Sequence, residues 1–201
     1  MSQACSFKNQ IDANYFCKKL RINCIQDNKL ILFKTSKGDF EIKLFGKDNP
    51  VTVSNFLDNI ENNIYVNQKF YKIIIYPQMK FIHGGFNPEN EFYIERNQTL
   101  KKTSPSIPLE IKLKGEIKPR YNYQVKNPSE TKNLVITFER GSIAMVKTSK
   151  KNSSATEFFF VTNKIPEIDG RYSIFGKIVK GLDVVEKIKK DDFIIEVKIF
   201  N

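Results

Sequence analysis

The sequence predicts a mainly β protein, built as a closed eight-stranded antiparallel β-barrel that is capped by two short α-helices. Three observations indicate this class: apolar segments of strand length recur along the chain, turn residues separate them, and only two segments show clear helical periodicity. Closure into a barrel removes exposed strand edges, and its open ends give helices a place to pack. The 201 residues, of which 40% are hydrophobic, suffice for one domain with a sizeable core.

The first β-hairpin is predicted between residues 30 and 45, in LILFKTSKGDFEIKLF. Two apolar runs flank the turn sequence SKG, and in FEIKL the apolar and charged residues alternate. This alternation is typical of a strand with one face on the core. We therefore expect this hairpin to supply the first two strands of the sheet.

A short amphipathic helix is predicted next, in NPVTVSNFLDNI. Asn49 is the expected N-cap, and Pro50 stands at the first helical position, where its missing N–H costs nothing. Apolar residues then recur at helical spacing, at Val53, Phe56, Leu57 and Ile60. A second short helix is predicted in GLDVVEKIKK.

The other strands are predicted from short apolar runs bounded by turn residues. They are KFYKIII, KFI, LVITF, SIAMV, EFFFVT, the segment after the turn at Asp169 and Gly170, and the closing FIIEVKIF. Residues 1–28 are expected to form an N-terminal appendage and residues 29–201 the domain. A polar segment at about 87–132 is too long for an ordinary connection and is expected to be an inserted loop.

Charge and cysteine content limit the function classes. The formal charge of +11 comes mostly from lysine, and no zinc-finger spacing or RNA-binding aromatic motif accompanies it, so nucleic acid binding has little support. The three cysteines lie in the first 24 residues without the spacing of a disulfide framework, which favours a reducing compartment. No apolar run approaches the roughly 20 residues that a membrane span needs. We therefore expect a soluble cytoplasmic protein that does not bind a membrane.

The residue inventory disfavours several kinds of catalysis. His83 is the only histidine, which leaves a metal site short of ligands, so no metal is expected. No nucleophile motif and no glycine-rich phosphate loop occurs, so neither hydrolysis nor a nucleotide cofactor is indicated, and no cofactor is expected. An aromatic and aliphatic site with a few polar groups is what remains.

Several motifs resemble those of the cyclophilins, a family of peptidyl-prolyl cis-trans isomerases. FKTSKGDFEIKLF and NPVTVSNFLDNI are similar to the opening hairpin and first helix of that family, and KFYKII and KFIHGG to the segments that follow. The resemblance is most specific in RGSIAMV, EFFFVT and EIDGRYSIFGKIVKGLDVVEKI, and it covers roughly residues 30 to 200. It implies a cyclophilin-like barrel that acts on X-Pro bonds and assists protein folding without a cofactor, and usually as a monomer.

The resemblance also implies roles for individual residues. Phe81, Phe159 and Ile168 correspond to the proline pocket, and Tyr172 replaces a pocket histidine; the alternative for Phe81, Phe159 and Ile168 is that they belong to the core. His83 stands at a glutamine that supports the catalytic arginine, so we interpret it as part of the wall; an ordinary imidazole satisfied by nearby backbone is the alternative. Phe158 is expected in the barrel core.

Two positions depart from the family pattern. Lys72 replaces the catalytic arginine and keeps the charge without the planar guanidinium fork, so we expect reduced activity. Glu157 replaces a glutamine that grips substrate backbone, and an ionised carboxylate accepts hydrogen bonds but does not donate them. About three additional residues between FYKII and FIHGG could displace the pocket wall, and Lys80 or an arginine from elsewhere in the chain could supply a compensating charge. The alternative function is a non-catalytic module that binds proline-containing segments of a partner protein.

Overall fold

The computed structural model describes residues 12–86, 106–149 and 151–200. The short helices are α1 Ala13–Leu20, α2 Pro50–Glu61, α3 Pro128–Thr131 and α4 Leu182–Lys187. The strands are β1 Lys29–Thr35, β2 Gly38–Leu44, β3 Lys72–Tyr76, β4 Met79–Gly85, β5 Ser106–Pro108, β6 Glu110–Ile111, β7 Arg120–Tyr121, β8 Ser142–Lys147, β9 Asn152–Val161, β10 Ile174–Lys180 and β11 Ile194–Ile199.

Eight strands form one curled antiparallel sheet in the order β11, β1, β2, β10, β8, β9, β4, β3, and β5 adds a short pairing to β9. The sheet is open, so the predicted closure of the barrel is wrong. Within the described ranges its two ends meet through an isolated bridge between Lys69 and Phe193 and neighbouring backbone hydrogen bonds. This contact involves the segment before β3, and along its length β3 pairs only with β4 among the described residues.

The predicted first hairpin and both predicted helices are confirmed as β1–β2, α2 and α4. The prediction of a strand in LVITF is wrong, because residues 134–138 form no strand in the structure. Leu134 makes only an isolated bridge to Leu113, and the segment then leaves the ladder so that Ile136 and Phe138 pack against residues of β8 and β9. Ile136 and Phe138 therefore belong to a hydrophobic cluster and not to a strand that pairs with a neighbour.

Two apolar clusters lie on opposite faces of the sheet, one in the interior and one on the outer face. Phe158 and Phe160 of β9 point inward, where Phe158 packs edge-on against Phe33 and Phe56. Phe159 and Val161 point outward into the second cluster. Because both faces of β9 are covered, its sequence is a continuous apolar run and not an alternating one.

The part of the predicted loop that the structure describes is folded; residues 87–105 lie outside the described ranges. β6 and β7 pair with each other, and Ile111 of β6 belongs to a small buried cluster with Leu109, Leu113, Val125 and Leu134. Glu110 extends from this unit to the start of α2, where its carboxylate accepts from the backbone N–H of Val51 at 3.1 Å and of Thr52 at 2.8 Å. The expected N-cap Asn49 makes no capping hydrogen bond and donates to the carbonyl of Ile174 instead.

A disulfide joins Cys17 of α1 to Cys24, although the spacing of the cysteines did not indicate a disulfide framework. The intervening segment turns back after Arg21, whose φ of 59° ends α1 and brings the two residues together. The expectation of a reducing compartment depended on the absence of a disulfide, so the cysteines no longer support it. No helix in the described ranges is long and apolar enough to span a membrane.

Candidate functional site

The register of four neighbouring strands assembles the site on the outer face of the sheet. Phe159 of β9 lies opposite Ala144 of β8 on one side and opposite His83 of β4 on the other. His83 in turn lies opposite Lys72 of β3. Residues paired in this way point to the same face, so the aromatic ring, the imidazole and the lysine form one row.

Aromatic and aliphatic side chains form an apolar cluster around Phe159, which is itself buried, and Phe81, Ile168 and Tyr172 are its partly exposed members. The ring centroid of Phe159 lies 5.9 Å from that of Phe81 and 5.3 Å from that of Tyr172. Ile168 packs against the same cluster, and Phe138 stacks beneath Phe159 with 5.8 Å between the ring centroids. The structure thus brings Tyr172 together with Phe81, Phe159 and Ile168, the three residues that the family resemblance assigned to the proline pocket.

A short turn places Ile168 and Tyr172 against this cluster. Its Asp169 carboxylate accepts the backbone N–H of Phe138 at 2.7 Å, and burial raises the pKa of this carboxyl group. Gly170 has φ of +74°, and a Cβ there would lie 2.8 Å from the Cβ of Val125. The pocket wall is therefore fixed from below by Phe138 and from the side by the inserted unit.

His83 is a neutral wall residue. Its ring stacks on Phe159 with 5.4 Å between centroids and an interplanar angle of 24°. Burial, followed by the positive charge of Lys72, lowers the pKa of His83 to about 4. An imidazole with this pKa is uncharged at neutral pH and contributes surface to the pocket, not a proton.

The two glycines after His83 allow β4 to pass close to β9. A Cβ on Gly84 would lie 2.9 Å from the ring of Phe70, and one on Gly85 would overlap the carbonyl oxygen of Thr156. Gly85 also has φ of +91°, which strains any other residue. The HGG motif thus serves close strand packing beside Glu157.

Glu157 is held by a residue that the sequence interpretation missed. The Tyr71 hydroxyl donates to Glu157 Oε1 at 2.9 Å, and the Tyr71 ring lies 6.1 Å from that of His83. Glu157 therefore presents a positioned acceptor to the outer face. No local sequence pattern pointed to Tyr71, because Glu157 lies 86 positions further along the chain.

Two of the lysines near the pocket differ in their surroundings. Lys72 is exposed, and no hydrogen bond or ion pair to another described residue occupies its ammonium. Lys80 does not provide the compensating charge, because its ammonium donates to the backbone carbonyls of Glu186 and Ile188 at the end of α4. Lys72 is thus the cation that the row of paired strands presents to the outer face.

Lys147, at the end of β8, brings a further positive charge to the opposite side of the pocket. Its Nζ lies 5.7 Å from the centre of the Tyr172 ring, within the range of a cation–π contact. The sequence interpretation did not single out Lys147, because nothing in SIAMVK indicates that this lysine lies beside Tyr172. The contact joins residues of β8 and of the turn that carries Ile168.

The additional residues between FYKII and FIHGG lengthen the β3–β4 hairpin and leave the pocket wall in place. Pairing continues without a break from Lys72 and His83 to Tyr76 and Met79, and the turn follows at residues 77–78. Phe81 keeps its contact with Phe159. Within the described ranges, no group of three or more His, Cys, Asp or Glu side chains could hold a metal ion.

Comparisons with known proteins agree with this geometry. Residues 30–199 match the family model described as cyclophilin type peptidyl-prolyl cis-trans isomerase/CLD. Over 166 residues the chain is 30% identical to a peptidyl-prolyl cis-trans isomerase of Acinetobacter baylyi, covering 80% of this chain and 72% of that protein. It is also 30% identical over 168 residues to peptidyl-prolyl cis-trans isomerase B of Escherichia coli, covering 80% of this chain and 84% of that protein.

A solved structure shows the same fold. It is a cyclophilin type peptidyl-prolyl cis-trans isomerase of Cryptosporidium parvum, with a TM-score of 0.59 and 21% identity, over 87% of this chain and 99% of that one. On the family match and the two relatives, the chain belongs to the cyclophilin-type peptidyl-prolyl cis-trans isomerase family, as its motifs indicated. Isomerase is the enzyme class that this membership gives it.

Proposed function

We propose that the protein catalyses cis-trans isomerisation of X-Pro bonds in polypeptides and so assists their folding, with Lys72 supplying the positive charge. The observation that carries this proposal is the row on the outer face, in which an apolar aromatic cluster and an exposed cation lie side by side. The relatives named as peptidyl-prolyl isomerases support it.

The reaction suits these residues because it needs no proton transfer. Its barrier of about 18–20 kcal/mol comes from the amide resonance that is lost when the bond twists. A pocket that holds the proline ring, together with a donor that favours the twisted amide, lowers this barrier. Phe81, Phe159 and Ile168 provide the apolar surface, and the Lys72 ammonium is the donor.

Lys72 is expected to support a slower reaction than an arginine would. An ammonium is a point charge on a flexible stem, whereas a guanidinium presents several donors in a fixed plane. Glu157 cannot replace the missing donors, because it already accepts from Tyr71 and an ionised carboxylate has no proton to give. These two residues favour the second candidate function, a module that binds proline-containing segments without turnover.

Exchange NMR on a short X-Pro peptide tests both candidates. We expect the native protein to accelerate cis-trans exchange and Lys72→Ala to lower the rate by about 100-fold, as loss of a transition-state donor does. Lys43→Ala is the matched control, because Lys43 is an exposed lysine on β2, away from the pocket. Its rate should equal that of the native protein.

The result that contradicts catalysis by Lys72 is an inert native protein. If Lys72→Arg then gains activity while peptide affinity is unchanged, the pocket is intact and the binding module is the correct function. If Lys72→Ala and native protein accelerate exchange equally, the reaction does not use this cation.

A further inference from the structure

The lengthened β3–β4 hairpin extends the face that carries the proline pocket. Side chains alternate along the pair, so Ile74 and Tyr76 of β3 point to the same side as Lys72, as do Met79 and Phe81 of β4. The Tyr76 ring lies 6.1 Å from the Phe81 ring at an angle of 78°. Met79 packs against the pocket cluster. The apolar surface is thus continuous from the pocket to the hairpin tip.

This surface is apolar and open to solvent. Tyr76 is 53% exposed, although its ring touches a pocket residue. Large exposed apolar side chains that adjoin a binding pocket are typical of recognition surfaces. A hydrophobic group seated there would cover Tyr76 and Met79 and would also contact Phe81.

The hairpin is held in place at its far end. Asn163 Nδ2 donates to the carbonyl of Gln78 at 2.5 Å, and the backbone N–H of Lys80 donates to Thr162 Oγ1 at 2.9 Å. The ammonium of Lys80 is bound to the end of α4 on the opposite side. Such ties preorganise the surface, which reduces the entropy that binding costs.

We infer that Tyr76, with Ile74 and Met79, forms a second subsite that takes a large apolar side chain of the same polypeptide, within a few residues of its proline. This inference rests on the proposed function, since the subsite is defined by its continuity with the proline pocket. The favoured substrates are X-Pro segments that carry a neighbouring aromatic or large aliphatic residue. Such segments are exposed in polypeptides that have not yet folded.

The test compares two sets of single-proline peptides, one with Phe and one with Ser at each position flanking the X-Pro pair. We expect the native protein to prefer the best Phe peptide to its Ser counterpart by about fivefold in kcat/KM, the factor that partial burial of one aromatic ring provides. Tyr76→Ala should abolish this preference, so that kcat/KM falls about fivefold more on the Phe peptide than on the Ser peptide.

Ile75→Ala is the matched control. Ile75 is 73% exposed on the same hairpin but points to the opposite face, so its replacement should preserve the preference. An equal loss in both variants would show that hairpin stability is responsible and would overturn the subsite. A native protein without any preference for Phe would overturn it as well.

Peptide affinity, measured by titration with the same variants, separates this inference from the proposed function. If native protein accelerates neither peptide but binds the Phe peptide more tightly, and Tyr76→Ala removes that difference, the subsite stands and catalysis fails. If native protein accelerates both peptides equally and binds them equally, catalysis stands and the subsite fails. Absence of both binding and acceleration overturns both.

Discussion

His83 is neutral in the folded protein because it is packed against Phe159 and lies beside the charge of Lys72. Its pKa of about 4 is below the ordinary value of 6.5, so the unfolded chain binds the proton first as the pH falls. The stability that this difference contributes is complete above pH 6.5 and is lost as the pH falls through about 4.

The residue-scale prediction is therefore that His83→Gln becomes less sensitive to acid than native protein. Urea unfolding at pH 7.5 and pH 4.5 measures this, and we expect the drop in unfolding free energy to be smaller in the variant, with the sign set by the lowered pKa. Equal drops in the two proteins would show that the pKa of His83 is the same in the folded and unfolded states. The kcat/KM of the native protein should show no inflection from this group near pH 6.5.

The site residues also show which features could be predicted from the sequence and which could not. The pocket residues could be placed because they lie within short motifs, and the structure brings Phe81, Phe159 and Tyr172 together. The hydrogen bond between Tyr71 and Glu157 joins residues 86 positions apart, so no local pattern indicates it. The contacts of Lys80 could not be predicted either, because its partners are backbone carbonyls at the end of α4.

Helix α2 begins at a carboxylate supplied from another element. Glu110 of β6 accepts from two backbone N–H groups and from the Thr52 hydroxyl, which satisfies donors that a helix start leaves free. Burial nonetheless raises the pKa of Glu110 to about 7. Burial, followed by the charge of Glu110, also raises the pKa of the Tyr121 hydroxyl.

The element-scale prediction concerns this cap. A folded-state pKa above the ordinary 4.5 means that the stability contributed by protonated Glu110 is complete below pH 4.5 and is lost as the pH rises through about 7. Relative to Glu110→Gln, native protein should therefore lose roughly 2 kcal/mol of unfolding free energy between pH 5 and pH 8. Chemical denaturation at the two pH values measures the difference.

Glu61→Gln provides the control for Glu110, because Glu61 is exposed at the other end of α2. The unfolding free energy of Glu61→Gln should change between the two pH values as much as that of native protein. If native protein and Glu110→Gln differ in unfolding free energy by the same amount at pH 5 and pH 8, the Glu110 carboxyl group does not change its ionisation between these pH values. The sequence indicated the helix start at Asn49 and Pro50 but not this acceptor, which comes from a residue 58 positions after Thr52.

At the scale of the whole molecule, one strand separates the core from the site. Eight strands do form one antiparallel sheet, but its openness shows that strand patterns do not determine whether two distant edges pair along their length. β9 is covered on both faces, so Phe158 belongs to the interior and Phe159 to the pocket. The run of apolar residues in EFFFVT does not by itself assign the faces, because it does not alternate; the family motif supplied that assignment.

Adjacent substitutions in β9 should therefore have different consequences. Phe158→Leu removes part of a fully buried ring and should lower the unfolding free energy by about 1–2 kcal/mol while leaving kcat/KM of the folded protein nearly unchanged. Phe159→Leu removes the ring on which His83 and Tyr172 pack, so it should lower kcat/KM by about tenfold or more. Thermal unfolding and exchange NMR on both variants measure the two effects. An equal loss of activity per folded molecule in both would mean that the two faces of β9 are not independent.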